Sequence, residues 1–316
     1  MTVATTNPNP KIGLASRFVN SLLAIAPLFN IAKQRARKMM IERAESMGVN
    51  WLQIAADLQK QDLEAELIQV QNPNLKYPEY YLKPFHAYEE GNLGWLPATE
   101  VESAAYAVHS RIWKDETPPI EGDARLRQSY FDIVKEKIST QPQDILDIGC
   151  SVGMSTFALN SAYPQSKITG LDLSPHFLAI ANYNTRTKHP ELLENQQVQW
   201  IHATAEQTGL PDSSFDFVSC FLLFHELPQE ASRQILREMR RVLRPNGHFA
   251  LMDMNPYSDI YVKMPPYILT LLKSTEPYLD QYFSFDLASE LVAAGFEAPT
   301  SIANTPRHRT VIAKAV

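Results

Sequence analysis

From about Arg125 to its last residue the chain predicts a doubly wound α/β fold, a parallel sheet with helices on both faces. Three observations carry this. Short apolar runs predict strands at about 144–148, 167–172, 197–202, 215–221 and 247–253, and helical periodicity fills the gaps near 154–163, 175–185 and 229–243. Such alternation is the pattern of parallel strands joined by crossover helices. The first strand runs into Gly149-Cys150-Ser151-Val152-Gly153, with a helix opening at Met154, and the second ends in Gly170-Leu171-Asp172.

The other elements follow in order. Residues 1–10 are rich in Thr, Asn and Pro and are expected to be a disordered tail. Residues 11–120 read as a mainly helical N-terminal cap region. Phe18, Leu22 and Ile25 share one apolar face, Pro27 breaks that run, and Met39, Met40 and Arg43 belong to a later helix ending near Gly48. Residues 71–100 form an irregular connector in which Pro73, Pro78, Pro84 and Pro97 alternate with Tyr77, Tyr80, Tyr81, Phe85, Tyr88 and Trp95. A helical pattern resumes over 99–113, and Thr117-Pro118-Pro119 marks a boundary before the 121–316 domain. Leu126, Tyr130, Val134 and Ile138 stripe a helix over 125–139. Near the end, Asp286–Ala294 is expected to be a short helix closed by Gly295, Phe296 to start a strand, and Arg309–Ala315 to form the last one.

Composition narrows the function classes. The chain is 45% hydrophobic with a net charge of -6, so it has a core and no global attraction to phosphate backbones. No nucleic-acid partner is expected. Cys150 and Cys220 lack any C-x-x-C spacing, and no metal constellation is visible, so no metal is expected and a cytoplasmic setting fits. Pro27 directly after Ala24-Ile25-Ala26 argues against cleavage of a signal peptide there. The basic residues Lys11, Arg17, Lys33, Arg35, Arg37, Lys38 and Arg43 predict a solvated helical face, or a surface that touches an anionic membrane or an anionic substrate.

The chemistry is concentrated at strand ends. The tight turn after the first strand lets backbone N–H groups and a helix N-terminus approach a ligand. An acid at the tip of the second strand, Asp172, can accept hydrogen bonds from both hydroxyls of an adenosine ribose. The turn reads G-x-S-x-G and lacks the third glycine that a dinucleotide pyrophosphate requires, which weighs against a nicotinamide cofactor. His225 follows the fourth strand and is a candidate general base.

Ile145–Thr156 resembles the first motif of class I S-adenosylmethionine (SAM)-dependent methyltransferases. Thr204-Ala205-Glu206, Leu210–Val218 and Ile235–His248 are similar to later motifs of the methyltransferase type 11 group, which includes the ubiquinone/menaquinone-biosynthesis C-methyltransferases. The resemblance covers 125–316. It implies a Rossmann-like, mostly parallel seven-stranded sheet with a helical N-terminal extension. SAM would be the cofactor, with Asp147, Gly149, Ser151 and Gly153 at its methionine end. Asp172 and Leu173 would sit at the ribose, Thr204, Ala205 and Glu206 at the adenine, and Phe221 at the end of the fourth strand. Ser151 and Thr204 depart from the group's usual glycine and aspartate.

The segment 255–285 would cover the substrate. Its Tyr257, Tyr261, Tyr267, Tyr278, Tyr282, Phe283 and Phe285 suit a small hydrophobic or aromatic acceptor, methylated at carbon or oxygen. An inactive scaffold that keeps the fold, or a methyltransferase acting on protein or RNA, are the alternatives.

Overall fold

The computed structural model describes residues 26–86, 88–113 and 115–316. The expected tail at 1–10, the face of Phe18, Leu22 and Ile25, and the basic Lys11 and Arg17 lie outside the described residues. So do the side chains of Lys33, Tyr267 and Leu271.

One seven-stranded sheet organises the rest, in the order β3-β2-β1-β4-β5-β7-β6. Its strands are β1 (Asp144–Ile148), β2 (Lys167–Asp172), β3 (Val198–His202), β4 (Phe215–Phe221), β5 (Leu243–Met254), β6 (Thr300–Ala303) and β7 (His308–Lys314). β1 to β5 run parallel, and β7 lies antiparallel between β5 and β6. The strands are continuous apolar runs because both faces are covered: Ile145, Leu146, Ile148, Val218 and Cys220 are all fully buried. Helices α6 (Met154–Ala162), α7 (Pro175–Lys188), a short α8 (Pro190–Glu194) and α9 (Gln229–Val242) supply the crossovers. α7 starts as its residues direct, with Ser174 Oγ accepting from Phe177 N and Pro175 in the first turn.

Two strand expectations shift. β5 begins earlier, because Leu243 pairs with Phe215 before a bulge in the ladder. Phe296 makes only an isolated bridge to Ala315, and the strand proper starts at Thr300. Pro299 stands between them and has no N–H to give to a ladder.

β1 is flanked by β2 on one side and β4 on the other, so successive crossovers depart in opposite directions from it. The crevice beyond the C-terminal ends of these strands is where open α/β sheets bind ligands.

Among the described residues five α-helices precede the sheet: α1 (Ala26–Glu45), α2 (Trp51–Gln59), α3 (Leu63–Val70), α4 (Trp95–His109) and α5 (Gly122–Lys137). Buried Glu66 ties α3 to α7 by accepting from Arg186 Nε at 2.9 Å and Asn182 Nδ2 at 2.7 Å. Buried Glu100 of α4 pairs with Arg37 and accepts from Tyr88 Oη at 2.7 Å. Part of the basic run is thus committed inside the protein, since Arg43 also donates to the Ala107 carbonyl. Among the described residues no helix is long and apolar enough to cross a membrane.

Candidate active site

Asp147, the last residue but one of β1, is fully buried. Helix α6 opens so soon after the loop that two hydroxyls of its first turn reach back to Oδ2, Ser155 Oγ at 2.6 Å and Thr156 Oγ1 at 2.7 Å. The other oxygen, Oδ1, has no partner. Burial is the largest influence on this carboxyl and raises it to about 6, against the pull of the two hydroxyls and of Arg127.

The loop after β1 turns through Gly149 at φ +67° and Gly153 at φ +91°. A Cβ on Gly149 would stand 3.0 Å from Leu223 Cδ2, so the loop packs closely on the chain after β4 and a side chain there would push Leu223 aside. Ser151 is also left-handed, at φ +50°. Its N–H donates to Asp172 Oδ2 at 2.8 Å, while Ser174 N donates to Oδ1 at 2.8 Å. Burial raises the Asp172 carboxyl to about 6, and these backbone donors act the other way. The carboxylate keeps further lone pairs for other donors.

Leu173 is buried, and its carbonyl accepts from His202 Nε2 at 3.1 Å. Thr204 spends its hydroxyl on a tight turn, accepting from Gln207 N at 3.2 Å. That local bond explains a threonine at this position. Ala205 packs on the main core, and Glu206 accepts from Tyr80 Oη at 2.6 Å. Phe221 is buried, its ring 4.5 Å beneath the Arg127 guanidinium and 5.8 Å from the Tyr130 ring.

His225 sits in a 3-10 turn (Phe224–Glu226) after β4. Its Nδ1 is 2.8 Å from Oδ1 of Asp253, the buried acid near the end of β5, and its backbone N–H donates to Asp253 Oδ2 at 3.1 Å. Burial alone would hold the imidazole down. Asp253, Glu276 and Glu226 outweigh it and raise the ring to about 10. A ring favoured in its charged form must give up its proton before it can accept one. Glu226, one residue on, faces inward with His86 Nε2 at 3.6 Å rather than out into solvent.

The covering segment comprises α10 (Asp259–Val262), α11 (Pro266–Thr275) and α12 (Leu279–Phe283). Most of its aromatic residues are core: Tyr261, Tyr278, Tyr282 and Phe285 are buried, and Tyr282 Oη donates to the Met254 carbonyl at 2.7 Å. Tyr257 is 71% exposed. Glu276 of this segment joins the cluster around His225, its Oε1 3.1 Å from His86 Nε2.

The sheet order, the acid-and-loop pair at β1 and β2, and the matching relatives agree. Residues 145–247 match the family described as a methyltransferase domain. Over 192 residues the chain is 30% identical to an uncharacterized methyltransferase of Synechocystis sp., covering 60% of this chain and 81% of that one. The chain belongs to the SAM-dependent methyltransferases. This methyltransferase is also 32% identical over 111 residues to the demethylmenaquinone methyltransferase of Listeria welshimeri, a match that spans 44% of that enzyme's length. A solved structure from Nostoc punctiforme, assigned as an O-methyltransferase, shares the fold. Its TM-score is 0.51 at 17% identity, with 80% of this chain and 66% of that one covered.

The residues present fit SAM. Asp147 Oδ1 is a buried acceptor without a donor, and the loop closes on it through two positive-φ glycines. Several groups of this methyltransferase's site carry no motif. Arg127 on α5 acts electrostatically on Asp147. Tyr81 of the connector has its hydroxyl pushed well up, by burial first and then by Asp172 and Glu226. The connector itself is pinned at its start by His202, whose Nδ1 accepts from Asn72 N at 2.9 Å. An aromatic, proline-rich run beside four helical patterns is the only sequence trace of that contact.

Proposed function

We propose that the protein moves the methyl group of SAM to a small-molecule acceptor lying between the loop after β1 and the covering segment 255–285. The observation that carries this is the partnerless carboxylate oxygen of buried Asp147, held at the strand end beside Asp172. A buried carboxylate oxygen without a donor costs on the order of 1–3 kcal/mol or more, and the ammonium group of SAM's methionine end would relieve it.

In this reading Arg127 complements the methionine carboxylate, and the loop backbone from Gly149 through Ser151 to Gly153 lies along the cofactor. Asp172 receives the ribose hydroxyls on its free lone pairs. Leu173, Thr204, Ala205 and Glu206 bound the adenine, with Phe221 at the floor. SAM supplies the activated methyl group, and the chain's task is alignment and exclusion of water. Tyr80 and Tyr81 close the crevice from the connector side. His225, oriented by Asp253, is the group that would take a proton from the acceptor once its own has left.

For the acceptor we infer an aromatic or otherwise apolar body carrying an oxygen. Tyr80 and Tyr278, whose rings meet edge to face at 6.2 Å, offer it an apolar wall, and His225, Glu226 and Glu276 offer the oxygen a polar end. The quinone relative supports the same class. Calorimetry with SAM, followed by transfer of a labelled methyl group to a panel of phenols and demethylated quinones, tests the reading. One-to-one SAM binding with turnover on such acceptors is expected. Lack of SAM binding would falsify it, and binding without turnover on any acceptor favours a scaffold instead.

A further inference from the structure

His86 of the connector, His225 after β4 and Glu276 of the covering segment come from three distant stretches of the sequence. The fold gathers them so that one ligand atom of each lies within 4.8 Å of the others. Glu226 stands beside them, its Oε1 3.6 Å from His86 Nε2.

Two features go beyond proximity. Glu276 is only 8% exposed, and while Oε1 meets His86, Oε2 has no partner. A carboxylate oxygen buried in this way is an acceptor left unfilled. His225 has Nδ1 taken by Asp253 at 2.8 Å, so the nitrogen it can offer a cation is Nε2. A histidine whose second ring nitrogen is held by a carboxylate is the usual arrangement of a metal-ligating imidazole.

We propose that His86, His225 and Glu276 form a binding site for a divalent transition-metal ion, with Glu226 available as a further oxygen donor. Two imidazoles and a carboxylate suit zinc, cobalt(II), manganese(II) or iron(II), whereas magnesium and calcium prefer all-oxygen sets. Donors about 2.0–2.2 Å from a shared ion can stand up to about 4 Å apart, so ligand atoms that lie within 4.8 Å of one another need only a small adjustment to meet it. The His86 side chain is 38% exposed, which gives it room to swing inward.

The ion would do two things. It would fasten the connector, the end of β4 and the covering segment to one point and so close the acceptor end of the crevice. Its remaining positions could take an acceptor oxygen, whose proton would then leave to solvent more readily. With Nε2 of His225 ligating, the ion replaces that ring as the means of activating the acceptor. The site is at the acceptor end of the methyltransferase reading above but does not depend on SAM being bound.

The test uses full-length protein stripped with a chelator and titrated with cobalt(II) alone. Visible absorption from the bound ion is read, and zinc(II) alone is followed by calorimetry. Stoichiometric binding is expected. His86→Ala and Glu276→Gln should each weaken it on the order of 10–100-fold or more. SAM affinity is measured on the same variants and is expected to stay within about twofold, which shows that they fold and separates this test from that of the cofactor site. If wild-type protein binds neither ion, or if both variants bind them as tightly as wild type, the site is not there. SAM binding without metal binding overturns this inference and leaves the cofactor reading standing.

Discussion

The two ends of the crevice are built on different plans. At the cofactor end, Asp147, Ser155 and Thr156 lie within one strand–turn–helix, and Asp172 reaches Ser151 and Ser174 through backbone amides. At the acceptor end, His86, His225, Asp253 and Glu276 come from four segments and meet only in the folded chain. A site built from backbone and neighbouring residues is tied to the sheet and changes little when the chain around it changes. One assembled from a connector, a turn and a covering segment can be altered piece by piece. The family match over 145–247 takes in Asp147 and Asp172, whereas His86, Asp253 and Glu276 fall outside it.

The sharpest way to break that division is at Asp172. Asp172→Ala removes the proposed acceptor for the ribose hydroxyls and leaves the amides of Ser151 and Ser174 without their partner. Two charge-assisted hydrogen bonds at roughly 1.5 kcal/mol each predict a loss of SAM affinity of about 100-fold. Calorimetry reads it directly. Metal binding at the far end should be untouched, and a variant that binds SAM normally would remove Asp172 from the cofactor site.

A pH series separates the ends next. Asp147 and Asp172 are both raised to about 6, above the roughly 3.9 of an unfolded aspartate. The folded protein thus binds protons more readily than the unfolded chain between these values. These two groups stabilise the fold as pH falls from 6 towards 4 and give that stability up as pH rises through 6. SAM asks the reverse, since its ammonium and ribose hydroxyls need ionised carboxylates. Affinity should fall on the order of tenfold between pH 7 and pH 5 for one required carboxylate. Asp147→Asn should flatten part of that slope. A SAM affinity indifferent to pH over this range would mean that neither carboxylate must ionise.

Legibility in the sequence follows the same division. Asp147 to Gly153, Asp172 and the Ser174-Pro175 helix start are local patterns whose spacing dictates their geometry, and each is found where its residues direct. His225 could be singled out because it follows a strand end, but Asp253 and Glu276 could not be joined to it without the three-dimensional contacts. Nothing in the sequence ties Glu226 to His86 of the connector, whose Nε2 lies 3.6 Å from it. The aromatic residues of 255–285 promise a lid, whereas most of them fill the core and Glu276 is what joins the His225 cluster. Apolar side chains announce burial without saying against what, and ligand sets drawn from remote segments leave no periodicity to read.

The connector joins the two ends, and its contribution should be smaller. Tyr80→Phe removes the hydrogen bond to Glu206 and leaves that half-buried carboxylate without its 2.6 Å donor. An ordinary hydrogen bond of about 1 kcal/mol predicts roughly fivefold faster release of SAM, measured by stopped-flow. Unchanged release would show that the connector lies over the crevice without holding what is inside.

The smallest effect belongs to Ser151, where the loop departs from the glycine usual in the resembled group. A side chain at φ +50° costs about 1 kcal/mol, and the Ser151 hydroxyl is buried with no partner in the protein. Ser151→Gly relieves both, while the freer unfolded chain takes part of the gain back, so a net stabilisation of about 0.5 kcal/mol is expected. For a chain of this size that is a rise in melting temperature of about 1–2 °C. The N–H that reaches Asp172 is retained, so the loop's geometry should survive. If the variant is more stable and binds SAM as before, the serine is a tolerated substitution. If it is more stable but binds SAM several-fold more weakly, the hydroxyl bonds the cofactor, and the strain is kept for the sake of binding. A variant no more stable than wild type would show that the left-handed turn carries no strain at this position.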